Sequence, residues 1–242
     1  MSVVGPGSVP SLFVLSLPRS LSTVVYGAAR RSLGLRQPAW VTGGEILNVD
    51  RARRFRRRPE LRAERYATGS REPEAFASFL GVLEDETSRL DFAYKDVVNP
   101  FVVTAWPGLS EFRVLKVQRE VEEVAFAMTA RGWRYPAAAA SASLDPDAAL
   151  VEGLLRAERA IAAVPGAVVA YSDAAEDAEA VVDALRALYP GERLEQVDYV
   201  DRGFRRGRRL RDDVRRRSAT FARLQRLTES IRATLEAHEL AS

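Results

Sequence analysis

Residues 12–26, LFVLSLPRSLSTVVY, carry the strongest fold signal in the chain, because they join a strand to a helix through a polar turn. The first part is a short apolar run that ends at Pro18, which is typical of a buried strand in a parallel sheet. From Ser20 to Leu33 the apolar residues recur at helical spacing, and Gly34 follows as a stop signal. We therefore predict a strand, a tight turn and the first helix of an α/β domain.

The alternation of strand and helix patterns continues along the chain. Strand-like runs follow at 91–95, 112–119 and 166–172, and helical patterns at 120–131, 146–163, 174–188 and 208–239. This alternation indicates βαβ units around a parallel sheet, in which ligands bind beyond the carboxyl ends of the strands. We predict a single α/β domain over residues 1–242, a three-layer sandwich with a central parallel sheet. The segments 51–72 and 137–143 are candidate lids.

The composition excludes several kinds of site. The chain has 242 residues, no cysteine and a single histidine, His238. The lack of cysteine excludes disulfides, a thiol nucleophile and a Cys-based zinc site, and one histidine argues against a histidine triad or metal cluster. We therefore expect no metal. No run approaches the roughly 18 apolar residues of a membrane span, and no targeting segment is evident, so we expect a soluble, cytoplasmic protein.

Lysine is rare in this chain. There are 36 basic residues against 33 acidic ones, and the formal net charge is +3. Only Lys95 and Lys116 are lysines, so 36 − 2 = 34 of the basic residues are arginines. These two lysines stand out because arginine occupies almost every other basic position.

The turn after the first predicted strand has the features of an anion site. The free N–H groups and the dipole of a helix start attract negative charge. Arg19 adds a guanidinium, and hydroxyls come from Ser20, Ser22 and Thr23. The alternative is an ordinary helix with Ser20 as its N-cap. The chain has no G-x-x-x-x-G-K-[ST] motif, so an ordinary nucleoside-triphosphate P-loop is not supported.

This turn resembles the 5′-phosphosulfate loop of sulfotransferases that use 3′-phosphoadenosine-5′-phosphosulfate (PAPS), a family of P-loop-type fold. The family pattern is a strand, then Pro-[Lys/Arg]-Ser-Gly-[Ser/Thr]-[Ser/Thr], then a helix; here leucine stands where glycine is usual. A leucine there must point away from the phosphate or narrow the pocket. The resemblance implies that Arg19 stabilises charge on the bridging oxygen as sulfate departs. It also implies that the donor is bound by Pro18, Arg19, Ser20, Leu21, Ser22 and Thr23.

A second segment, FRVLKVQREVEEVAFAM at 112–128, resembles the family's 3′-phosphate signature. There a strand ends in arginine, here Arg119, and a serine follows eight positions later, where this chain has Ala127. The missing hydroxyl removes a contact worth roughly 1 kcal/mol. FRRG at 204–207 resembles the start of the family's C-terminal loop, which covers the 3′-phosphate, although a solvated charge run is the alternative. That resemblance adds the candidates Arg205, Arg206 and Gly207.

The resemblance also points to the catalytic groups. YKDVVNPF at 94–101 is similar to the family's mid-chain lysine segment, which implies that Lys95 approaches the sulfate; a solvated strand end is the alternative. Sulfuryl transfer needs a base for the acceptor's proton. Some branches of the family use a glutamate after the first helix, and Glu45 stands at about that place, behind a Gly43-Gly44 pair that lets the backbone pass close to a substrate. A surface glutamate is the alternative reading, and Asp96 is the second candidate base.

The function that the resemblance implies is a PAPS-dependent sulfotransferase acting on a hydroxyl or amine of a small-molecule acceptor, with PAPS as co-substrate and no metal. The departures at Leu21 and Ala127 leave open a different donor, or an elimination or cyclisation after sulfation. The arginine-rich runs at 51–58 and 202–217 leave open a nucleic-acid-binding module, although the net charge is small. The oligomeric state also stays open, with a homodimer as one candidate.

Overall fold

The structure is a computed structural model. It describes residues 9–39, 41–46, 80–81, 84–85, 87, 91–98, 100–133, 145–199, 208, 212–215 and 217–240. Both candidate lids, 51–72 and 137–143, lie outside the described residues, and so do Arg205, Arg206 and Gly207.

Four parallel strands form the central sheet of the described residues: β1 (Leu12–Ser16), β2 (Ala93–Asp96), β3 (Arg113–Gln118) and β4 (Ala167–Ala170). They lie side by side in the order β2-β1-β3-β4. The register pairs Val14 of β1 with Lys95 on one side and with Leu115 on the other. The predicted α/β class with a parallel sheet is therefore confirmed. The last strand is shorter than predicted, because a helix already begins at Tyr171.

Seven helices whose bounds lie within the described residues accompany these strands: α1 (Ser22–Ser32), α2 (Pro100–Ala105), α3 (Val121–Thr129), α4 (Pro146–Ala162), α5 (Tyr171–Glu176), α6 (Glu179–Leu188) and α7 (Ala219–Leu240). Further helical residues lie at 80–81, 84–85, 87, 208 and 212–215. A 3-10 turn covers Pro107–Glu111. The predicted helix 174–188 was wrong as a single element. Asp177 has extended backbone, and its carboxylate accepts from the N–H of Glu179 at 2.9 Å, so a new helix starts there.

Helices cover both faces of the sheet. On one face α1 and α6 pack over an apolar cluster that includes Leu12 and Val14. On the other face α2, α3, α4 and α7 pack around Phe13 and Leu15. Successive residues of β1 point to opposite faces, so the uninterrupted apolar run predicted from the sequence fills both layers. This arrangement is compatible with a three-layer sandwich.

The chain reverses its direction of winding between β1 and β3. From β1 it passes through α1 to β2 on one side, and from β2 it crosses to β3 and continues to β4 on the other side. The helices that follow β1 and β3 lie on opposite faces, so a crevice is expected at the carboxyl ends of these two strands. Both predicted donor signatures, 18–23 and Arg119, fall at this point.

Within the part of the chain that the structure describes, no helix combines the length and the apolar character needed to cross a membrane.

Candidate functional site

The turn that follows β1 is held in a strained backbone conformation. Arg19 has φ +62 and Leu21 has φ +59. The left-handed region costs a residue other than glycine about 1–2 kcal/mol. Leu21, which replaces the usual glycine of the resembled loop, thus adopts the conformation that glycine favours. Strain of this kind persists where the surrounding structure enforces it, and it clusters at ligand sites.

The helix that starts here has no side-chain cap. Leu21 is the N-cap of α1, and it makes no side-chain cap hydrogen bond. The alternative with Ser20 as N-cap is therefore wrong, since the Ser20 hydroxyl donates to the Pro18 carbonyl at 3.4 Å. Leu21 packs against the apolar cluster on the α1 face, so its side chain is directed into the protein. The N–H groups of Val24 and Val25 both donate to the Leu21 carbonyl, at 2.8 and 3.0 Å.

A buried ion pair lies beside this turn. The Lys95 Nζ is 2.9 Å from the Glu45 Oε1 and donates to the Thr23 Oγ1 at 2.6 Å. Lys95 is 0% exposed and Glu45 is 5% exposed. A solvated strand end and a surface glutamate, the two alternatives, are therefore wrong. The structure brings two predicted catalytic residues together with the last residue of the predicted phosphate turn.

Glu45 reaches Lys95 because residues 44–46 run beside β2. The Lys95 N–H donates to the Gly44 carbonyl at 2.8 Å, and Glu45 and Lys95 form a parallel bridge. Gly44 has φ +74, and a Cβ built there would lie 2.5 Å from the Tyr26 ring. The close approach expected at this glycine is therefore made to the protein's own core. Burial raises the pKa of Tyr26 to about 12, so its hydroxyl stays protonated and donates to the Ala93 carbonyl at 3.0 Å.

Gly44→Ala is expected to lower the free energy of unfolding by about 2–4 kcal/mol, because the methyl group overlaps the Tyr26 ring and the backbone is left-handed. Gly34→Ala is the matched control: its φ is +65, but nothing lies within 4 Å of the added carbon. We expect the control to cost about 1 kcal/mol. Urea unfolding of both variants measures the difference, and equal costs would contradict the packing role of Gly44.

Arg119 contacts the turn from the β3 side. Its Nη1 donates to the Arg19 carbonyl, its Nε donates to the Glu123 Oε2 at 3.0 Å, and its guanidinium lies 4.0 Å from the Tyr171 ring centroid. The Arg119 side chain is only 10% exposed. The two segments that resemble donor signatures are therefore in direct contact.

Arg19 is exposed at the mouth of the turn, with its guanidinium 5.4 Å from the ring centroid of Trp133. The sequence reasoning missed Trp133, which is half-exposed after the end of α3. The backbone N–H of Trp133 donates to the Met128 carbonyl at 3.1 Å. It also missed Tyr171, whose ring is shared by Arg119 and Arg208. No local pattern singles out these two aromatic residues, since only the fold brings them to the site.

Two polar side chains complete the surroundings. The Ser16 hydroxyl at the carboxyl end of β1 is buried and has no hydrogen-bond partner among the described residues. Such an unsatisfied group costs roughly 1–3 kcal/mol, so it calls for an explanation.

Lys116, the second lysine, donates to the carbonyls of Ala162 at 3.3 Å and Val164 at 2.6 Å. Its role is therefore to hold the C-terminal end of α4.

A cavity of about 300 Å³ near the end of β3 is lined mainly by acidic side chains, in contrast to the basic turn after β1. Burial raises the pKa of Glu122 and of Glu158, and Glu158 is 3.1 Å from Arg232. This lining disfavours an anionic donor. No group of three or more metal-ligating side chains occurs among the described residues. The cavity is lined by Gln118, Glu120, Glu122, Glu158, Gln225, Thr228, Glu229 and Arg232.

The fold thus defines an α/β protein with a central parallel sheet flanked by helices. Compared with protein-family models and with curated proteins, the chain matches none. We therefore derive the function from the residues and their geometry.

Proposed function

We propose that the protein is a sulfotransferase that binds PAPS at the turn 18–23 and transfers the sulfuryl group to a hydroxyl or amine of a small molecule. The observation that carries this proposal is the contact of buried Lys95 with both Glu45 and Thr23, at the strained and uncapped start of α1. A buried ion pair is costly unless its geometry is good, so a place at the switch point of the sheet suggests a functional use.

The donor end of the site follows from the charges around the turn. The uncapped N–H groups of α1 offer hydrogen bonds to a sulfate or phosphate, and the helix dipole adds partial positive charge. The Lys95 ammonium group donates a hydrogen bond to the hydroxyl of Thr23. The exposed guanidinium of Arg19 lies within the same turn. The unsatisfied hydroxyl of Ser16 supports a polar ligand near the end of β1.

The proposed reaction is an in-line displacement at sulfur. The acceptor oxygen or nitrogen forms a bond to sulfur while the bond from sulfur to the bridging oxygen of the donor breaks, which releases adenosine 3′,5′-bisphosphate. The proton of the acceptor passes to the Glu45 carboxylate. Arg19 and Lys95 offset the negative charge that develops on the departing oxygen, the kind of preorganised electrostatic stabilisation on which group transfer depends.

Glu45→Gln is expected to lower turnover by about 10²–10⁴-fold, because the amide cannot accept the proton of the acceptor. Binding of adenosine 3′,5′-bisphosphate should change little. Asp96→Asn tests the competing base: Asp96 is fully buried, and its carboxylate accepts from the Val98 N–H at 3.3 Å, which indicates a structural role. Thermal unfolding separates lost chemistry from lost fold, since the glutamine leaves Lys95 without its carboxylate. Unchanged turnover in Glu45→Gln would reject this base.

Incubation with PAPS and a panel of alcohols, phenols and amines, followed by mass measurement, tests the proposed function directly. An acceptor that gains one sulfuryl group supports it. Thermal-shift measurements with adenosine 3′,5′-bisphosphate, ATP and inorganic phosphate add a test that needs no acceptor. A ligand at 100 times its Kd stabilises the fold by about 2.7 kcal/mol. Stabilisation by ATP alone, without sulfation of any acceptor, would count against a sulfotransferase.

A diverged donor is the second candidate, and the contacts of Arg119 favour it. Its guanidinium already binds the Glu123 carboxylate and the Arg19 carbonyl, and Ala127 adds no hydroxyl. A donor without a 3′-phosphate fits these departures. Activity with adenosine 5′-phosphosulfate that exceeds activity with PAPS would select this candidate.

Two of the three described arginines of the run 202–217 are held in ion pairs, while the third, Arg217, is exposed. Arg208 pairs with Glu176 at 2.5 Å, and Arg215 pairs with Glu123 at 2.8 Å. Each of these two arginine side chains is only about one-seventh exposed. Binding to phosphate backbones needs cations that are open to the solvent, and these are engaged inside the protein.

A further inference from the structure

Three arginines converge around Tyr171 and Glu123 at the carboxyl end of β3. Arg119 lies 4.0 Å and Arg208 lies 5.6 Å from the Tyr171 ring centroid. Arg215 joins them through Glu123, which bridges Arg215 and Arg119. The guanidiniums come from two distant parts of the chain, the end of β3 and the segment 208–215, and each side chain is 10–15% exposed. Such a concentration of partly buried positive charge requires compensating anions.

Glu123 supplies compensation with both of its oxygens. Its Oε2 accepts from the Arg119 Nε at 3.0 Å, and its Oε1 is 2.8 Å from the Arg215 Nη1. A carboxylate that spans two guanidiniums uses the same charge-assisted contacts that a phosphate group would use. The Glu123 side chain is 19% exposed, so its carboxylate can leave the two guanidiniums by rotating toward the solvent.

Carboxylates of the protein itself compensate the described guanidiniums of the cluster. Besides Glu123, Asp212 lies 3.2 Å from Arg215 and 3.6 Å from Arg208, and Glu176 lies 2.5 Å from Arg208. Among the described residues, three carboxylates therefore face three guanidiniums. If Glu123 turns away, the cluster gains one net positive charge, and an incoming dianion takes over two guanidinium partners.

We propose that Glu123 is a built-in competitor: its carboxylate occupies an anion position between Arg119 and Arg215, and a phosphate-type dianion of the ligand displaces it. This inference rests on the proposed function, because it places the second phosphate of the donor at this cluster. The observed association constant is the intrinsic association constant multiplied by the fraction of molecules in which Glu123 has turned away. Glu123 therefore raises the donor concentration at which half of the sites are occupied.

The test is the affinity of Glu123→Gln and Glu123→Ala for adenosine 3′,5′-bisphosphate and for inorganic phosphate, measured by titration calorimetry. Both variants are expected to bind both probes at least about fivefold more tightly than the unaltered protein, because the competing charge is gone. Circular dichroism verifies that each variant is folded, and two substitutions of different size guard against a local packing effect.

Glu239→Gln is the matched control, because it also removes one carboxylate that pairs with an arginine, Arg159. Glu239 lies near the far end of α7, about 30 Å along the helix from the end that adjoins Arg215. Its affinities should stay unchanged.

The outcomes separate the two proposals. Weaker or unchanged binding of both probes in folded Glu123 variants overturns the competitor role and assigns Glu123 to orienting Arg119. Tighter binding of inorganic phosphate, with no binding of adenosine 3′,5′-bisphosphate by any variant, supports the competitor and overturns the proposed donor. Tighter binding of both probes supports both proposals.

Discussion

Lys95→Met is expected to lower the free energy of unfolding by about 3–5 kcal/mol, because it removes the cation that compensates the buried carboxylate of Glu45. Methionine keeps the length and most of the volume of the lysine stem, so little of this cost comes from a cavity. The substitution also removes the hydrogen bond to the hydroxyl of Thr23. Guanidinium chloride unfolding, followed by circular dichroism, measures the change.

The double variant Lys95→Met/Glu45→Gln separates a lost ion pair from lost packing. Without either charge no buried ion is left uncompensated, so we expect it to recover at least half of the loss. Arg186→Met is the control for an exposed pair: Arg186 lies 2.7 Å from Glu179, and its side chain is 57% exposed. We expect this substitution to change the free energy of unfolding far less than Lys95→Met does, because the pair is open to the solvent. A double variant as unstable as Lys95→Met would show that the charge pair is not the cause.

Arg19→Ala is expected to reduce sulfuryl transfer by about 10²–10³-fold, because it removes a donor aimed at the charge that develops on the leaving oxygen. Affinity for the donor should fall as well, since the guanidinium also adds positive charge to the mouth of the turn. Alanine should not unfold the protein, because Arg19 is exposed. Steady-state kinetics with PAPS and an accepted substrate give kcat and KM separately.

Arg131→Ala is the matched control for Arg19→Ala. Arg131 is another exposed arginine just after α3, and its Nη1 donates to the Ala127 carbonyl at 3.2 Å. We expect its kinetics to equal those of the unaltered protein. Arg19→Lys should keep part of the rate, because a cation remains at the turn without the fork of donors. Equal turnover in Arg19→Ala and the unaltered protein would remove Arg19 from the mechanism.

The sequence predicted the elements whose signals are local. The apolar run before Pro18 and the helical spacing after Ser20 lie within one segment, so the first strand and helix were readable to within two residues. The start of α4 at Pro146 was predicted for the same reason, and there Asp145 accepts from the N–H groups of Asp147 and Ala148. The rarity of lysine directed attention to Lys95 and Lys116, and both side chains are buried.

Contacts across long sequence separations could not be predicted in the same way. The pairing of Glu45 with Lys95 depends on the register between residues 44–46 and β2, which only the folded sheet defines. The left-handed backbone of Leu21 breaks the usual preference of a leucine, so propensity gives no sign of it. Two partners of Arg119, the Arg19 carbonyl and the Tyr171 ring, lie far from it in the chain and meet it only after folding.

The hydrogen bond from Arg119 to the carbonyl of Arg19 joins two places that are 100 residues apart in the chain. A ligand group that repositions this guanidinium also shifts the peptide that it holds. Under the proposed competitor role, a phosphate bound at Arg119 also shifts the loop ahead of α1, and by linkage a ligand in that loop changes the affinity at Arg119 by the same factor. One side chain thus joins the two halves of the proposed donor site.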